Sequence, residues 1–122
     1  MTQHAGLGEE RWADFELDQQ LLMIGNEMNR ASRAVARMDV EALRRGYERV
    51  LRLVDLTVAA APRPALRREL LRWREVLAGL YLEPAPDAPA HRTAFRTLLL
   101  MSPGASRQVR HLVPHHGAPR TG

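Results

Sequence analysis

Arg30, Arg33 and Arg37 stand three and four residues apart, and no acid falls between Met28 and Met38. On a helix this spacing aligns three guanidinium groups on one side, where they can meet phosphate or carboxylate oxygens. Just upstream, Gly25, Asn29, Ser32 and Ala36 make a stripe of small residues, with Asn26 beside it. Glycine inside a helix costs about 1 kcal/mol relative to alanine, so Gly25 requires a compensating reason. Either Gly25, Asn26, Asn29 and Ser32 border a polar pocket together with Glu27 and Arg30, or the stripe lets another helix approach closely. The second is preferred because helical glycines so often serve packing.

His111, His115 and His116 have a spacing at which two imidazoles on a helix share a metal ion, but Pro114 breaks that helix and no acid or cysteine stands near to complete the shell. Neither a metal nor a cofactor is expected. Glu27, Asp55 and Glu69 supply carboxylates on different segments, with nothing in the sequence to pair them. A glycine-rich phosphate loop, a Gly-x-Ser-x-Gly elbow and a His-Glu-x-x-His motif are all missing, and the chain has three serines, Ser32, Ser102 and Ser106. We therefore expect no catalytic residues and a protein that is not an enzyme.

The elements that must carry these residues are helical. The 122 residues suit one domain, and 45% hydrophobic with 26% charged residues is a globular composition. Ala, Leu, Arg and Glu dominate while aromatics are at 5%, which favours helix over strand. Cysteine is absent, which removes disulfides, thiolate metal sites and cysteine nucleophiles. The first ten residues have neither the basic start nor the apolar stretch of a secretory signal, and no apolar run nears the roughly 20 residues that span a bilayer. A cytoplasmic, bacterial protein that does not enter membranes is the expectation.

All eighteen basic residues are arginine, a bias that suits a GC-rich genome as well as any function. Their distribution is uneven. Residues 1–27 hold six acids and one Arg, net −5, and residues 28–122 hold eight acids and seventeen Arg, net +9. Such asymmetry serves nucleic-acid binding, or complements itself between helices or subunits.

Leu17, Leu21, Ile24, Met28, Ala31, Val35 and Met38 alternate steps of four and three, predicting a helix over about 14–38, with Trp12 at its start. Asp39 suits the N-cap of a second helix over 40–60, whose face is Val40, Leu43, Tyr47, Val50, Val54 and Thr57, widened by Leu51 and Val58. The near absence of a loop at Met38-Asp39-Val40 predicts an antiparallel hairpin. Pro62 and Pro64 stop the second helix, and Pro64 suits the first turn of a third over 65–82, built on Leu66, Leu70, Trp73, Leu77 and Leu80. A proline-rich connector, residues 83–89, leads to a shorter fourth helix over 91–101 through Phe95, Leu98 and Leu99. The fold expected is an all-α, up-down bundle spanning residues 1–112, with a flexible tail at 113–122.

Tyr47-Glu48-Arg49-Val50-Leu51-Arg52-Leu53 resembles the second helix of a tetratricopeptide repeat over about a dozen residues. It departs from that pattern at Ala42 and Val50, and no second copy appears at the repeat period.

Leu51, Leu53, Leu56, Leu71 and Val76 are more apolar residues than one stripe per helix accommodates. That surplus points to a protein-interaction module, binding another protein or its own copy as a homodimer. The alternative is nucleic-acid or anion binding through Arg30, Arg33, Arg37 and the basic tail. Arginines without interleaved aromatics support it weakly, and spacing allows Glu41–Arg45, Glu48–Arg52 and Glu69–Arg72 to pair on the helix surfaces.

Overall fold

A computed structural model describes residues 8–61 and 63–101. Five helices follow in order: α1 (Glu9–Ala13), α2 (Leu17–Ala36), α3 (Val40–Ala60), α4 (Pro64–Leu82) and α5 (Ala88–Leu99). The architecture is all-α, as the composition and periodicity imply. Helix α2 packs on α3 and on α5, α3 packs on α4, and α4 meets α5 more loosely, so the four long helices close a ring around one core while α1 covers part of α3. The fourth helix of the sequence therefore belongs to the bundle. Among the described residues no helix is long and apolar enough to cross a membrane.

The first predicted helix, over about 14–38, is α2, which starts three residues later and ends two earlier, and a short helix not predicted, α1, precedes it. Asp14, Phe15 and Glu16 separate α1 from α2, and Glu16 is extended at φ −65°, ψ 154°. The break is stabilised from within α2: the buried Gln20 amide donates to Trp12 O at 2.9 Å and to Phe15 O at 3.1 Å, tying α2 to the segment before it. The bend turns Trp12 into the core, where Nε1 donates to Thr57 Oγ1 at 2.8 Å and Thr57 donates on to Leu53 O. Indole burial thus comes with its N–H satisfied.

Met38, placed by periodicity on the apolar stripe, is instead 61% exposed and has φ 56°. It occupies the left-handed position that ends α2: Met38 N–H donates to Val35 O and Asp39 N–H to Ala34 O, the paired bonds of a Schellman cap. The chain then reverses at once, because the Asp39 carboxylate accepts from Ala42 N–H at 3.1 Å and caps α3 as the sequence implies. Asp39→Ala is expected to lower stability by about 1 kcal/mol, measured by urea unfolding. Pro64 opens α4 as expected. Helix α5 begins three residues before the predicted start, because Asp87 accepts from Ala90 N–H and Pro89 fits the first turn. It ends at Leu99, two residues short of the predicted end.

The surplus of apolar residues is smaller than it looks in sequence. Leu53 is fully buried, and Leu51 and Leu56 pack partly against the core, since α3 is covered by three neighbours. Leu71 and Val76 on α4 remain exposed. The tail at 113–122 and His111, His115 and His116 lie outside the described residues.

Candidate functional site

A buried polar chain links three helices. Tyr47 of α3 lies 2.7 Å, Oη to Nδ1, from His91 of α5, and His91 Nε2 lies 2.9 Å from Ser32 Oγ of α2, which in turn donates to Met28 O at 3.1 Å. One proton arrangement satisfies every donor: Tyr47 O–H donates to Nδ1, Nε2–H donates to Ser32 Oγ, and Ser32 O–H donates to the carbonyl. His91 is 3% exposed and Tyr47 2% exposed. Burial pushes the His91 pKa down to about 4, with Arg92 adding to the depression and the Met28 carbonyl opposing it. Burial, and then the charge of Asp87, raises the Tyr47 phenol. Both groups are accordingly neutral at pH 7. A serine and histidine at this distance resemble a nucleophile and its base, but in this proton arrangement Nε2 donates to Ser32 and does not accept from it. The arrangement locks α2, α3 and α5 together.

Sequence reasoning placed Ser32 among candidates and missed His91, 59 residues further along the chain, and Tyr47, which lies 44 residues before His91. The available signal was Asp87 with Pro89, a capped helix start that puts His91 on the same face as Phe95 and Leu98.

The small-residue stripe divides. Gly25 faces α5 so closely that a Cβ there would lie 2.8 Å from Leu99 Cδ2 and 3.6 Å from the Phe95 ring. Ser32 belongs to the histidine chain, Asn29 is half-buried and Asn26 is exposed. The four residues do not converge on a common polar pocket. Close approach by a neighbouring helix accounts for Gly25.

The arginine stripe lies on the exposed side of α2. Arg30 lies 3.7 Å from the buried Glu27, whose other oxygen accepts from Arg49 of α3 at 3.0 Å, and Arg37 lies 3.9 Å from Asp39. Arg33 makes no ion pair among the described residues. Among the described residues Glu41–Arg45 and Glu69–Arg72 do not close, and Glu48 accepts from the Tyr81 phenol at 2.7 Å.

The seams beside α4 differ. Toward α3 it is stitched by Arg74, whose guanidinium makes two bonds to the Asp55 carboxylate, by Tyr81 and Glu48, and by Arg44, which caps the Tyr81 and Glu83 carbonyls. Toward α5, Trp73 Nε1 donates to Ala94 O at 2.8 Å, and beside this contact the helices part. The gap is an open groove of about 740 Å³ whose lining includes Trp73, Val76, Ala90, Ala94, Leu100 and Met101, together with the charged Glu69, Arg72 and Asp87. Val76 is 56% exposed and Leu100 58% exposed on it. A second depression of about 350 Å³ continues the groove past Arg72 and Met101 to Arg68 and Arg63. From Arg63 to Val76 the two run along about 20 Å of α4. Glu69, Arg72 and Val76 recur at three and four residues, and this row, facing α5, is what sequence reasoning saw in part through Val76.

Among the described residues no group of three or more His, Asp or Glu side chains is placed to hold a metal ion. No protein-family model, curated protein or solved structure matches the chain.

Proposed function

We propose that this protein is a non-enzymatic interaction module that receives a helical segment of another protein in the groove between α4 and α5. The observation that carries the proposal is the contrast between the stitched α3/α4 seam and the open, apolar α4/α5 seam with Val76 and Leu100 at its edge. A bundle face left unfilled along about 20 Å offers the apolar trough into which an amphipathic helix lays its i, i+3, i+4, i+7 residues. The buried histidine chain supports this reading by fixing the position of α5 against α2 and α3, so that one wall of the groove is rigid. An anionic aromatic dye whose fluorescence rises in apolar surroundings tests the trough: the folded protein at pH 7 should bind it, and Val76→Glu with Leu100→Glu should abolish binding while leaving helicity unchanged. A native protein that binds no dye, or a double variant that binds it as well as the parent, would contradict the proposal.

A second reading, anion or nucleic-acid binding along α2, draws support from Arg33, which is exposed and makes no ion pair among the described residues. Each phosphate neutralised releases counterions, so binding of short DNA or RNA would fall steeply with salt. Unchanged gel mobility of both at ~50 mM salt, where nonspecific binding is strong, would eliminate it.

A further inference from the structure

We infer that the occupant of the α4/α5 groove is an amphipathic helix with acidic residues clustered at one end, an inference that rests on the docking function proposed above. The groove is not uniform along its length. Its wide part is walled by Trp73, Val76, Ala94 and Leu100 and also reaches Asp87, whereas its narrow end adds Arg63 and Arg68 to Arg72 and Glu69, the two charged residues that line both parts. Those three arginines are exposed and make no ion pair among the described residues. Elsewhere on α4 the arginines are engaged: Arg67 donates to Ala61 O at 2.9 Å and Arg74 to Asp55. Uncompensated positive charge therefore lies at one end of an apolar trough, and a helix carrying Asp or Glu over that end gains both apolar burial and charge complementarity.

The chain itself does not supply this chemistry. Residues 102–122 contain Arg107, Arg110 and Arg120 and no Asp or Glu, so they carry the same sign as the narrow end. A second copy concentrates its acids in residues 1–27, but Trp12, Leu21 and Ile24 of that stretch are fully buried in its own core, and Phe15, Leu17 and Met23 pack partly against it. The occupant is a helix of a different protein.

A displayed library of random 16-residue peptides, selected against the full chain at pH 7, reads the chemistry of the occupant directly. The expected winners repeat apolar residues at three and four and carry Asp or Glu toward one end. A synthetic winner should bind about ten-fold more weakly to Arg68→Glu/Arg72→Glu, and its binding should be lost in Val76→Glu, with circular dichroism confirming that both variants fold. Winners without acidic bias whose binding still requires Val76 would overturn the inference and leave the docking function standing. Winners indifferent to Val76→Glu would overturn both. A parent that sediments as a dimer at micromolar concentration while Val76→Glu sediments as a monomer would overturn it in favour of a second copy.

Discussion

Acidification from about pH 6.5 to about pH 4 is expected to lower the unfolding free energy by about 3 kcal/mol through one side chain, His91. In the folded protein burial holds its pKa at about 4, whereas in the unfolded chain it returns to the ordinary 6.5. Between those values the unfolded state binds a proton that the folded state does not. The stabilisation is therefore complete above pH 6.5, falls by up to about 1.4 kcal/mol per pH unit below it, and is exhausted near pH 4. The charges nearest the imidazole do not offset the effect: Arg92 disfavours the imidazolium, and Asp87 acts on Tyr47, the partner at Nδ1.

His91→Leu separates this contribution from that of the carboxylates. The variant loses stability at pH 7, because Tyr47 O–H is left without its buried acceptor at a cost of about 1–3 kcal/mol. Its stability should then depend less steeply on pH between 6.5 and 4. Urea unfolding of both proteins across that range measures the two slopes. Equal slopes would show that His91 is not a buried, neutral imidazole.

Gly25→Leu is expected to destabilise by about 1–3 kcal/mol, despite a helix-propensity gain of up to about 1 kcal/mol from replacing glycine. A Cβ alone would stand 2.8 Å from Leu99 Cδ2, and Leu99 is fully buried, so the larger side chain must push Leu99 aside within a packed core. Arg33→Ala should leave stability nearly unchanged, since that side chain is exposed and unpaired among the described residues. Thermal unfolding of the two variants beside the parent distinguishes a packing stripe from a ligand-binding one. A Gly25→Leu protein as stable as the parent would refute close packing at this position.

What the sequence makes legible here is what depends on neighbours a few residues apart. The four-three period from Leu21 to Val35, the Asp39 cap and Pro64 at the start of α4 all involve interactions within one or two turns, and all stand in the structure. Met38 continues the period yet leaves the helix, because a helix end is set by its carbonyl partners rather than by hydrophobic spacing. The break before Leu17 depends on the Gln20 amide reaching back to Trp12 and Phe15, a choice that a polar residue on an otherwise apolar face signals only faintly. Leu53 reads as surplus on a helix with one buried stripe and becomes core on a helix with three neighbours.

The candidate site is less legible for the same reason. Ser32, His91 and Tyr47 come from three helices, and no local pattern announces that their side chains meet. The groove is a property of a seam: Val76, Leu100 and Trp73 are ordinary helical residues until α5 is seen to hold away from α4 beside the Trp73–Ala94 contact.

The docking proposal is tested most directly by amide NMR spectra of the protein titrated with a selected peptide. Shift changes should concentrate between Arg63 and Val76 on α4 and between Pro89 and Met101 on and after α5, with the Trp73 indole N–H among the largest. Changes centred on Arg30 to Arg37, or spread evenly over the helices, would contradict a binding site in the α4/α5 groove.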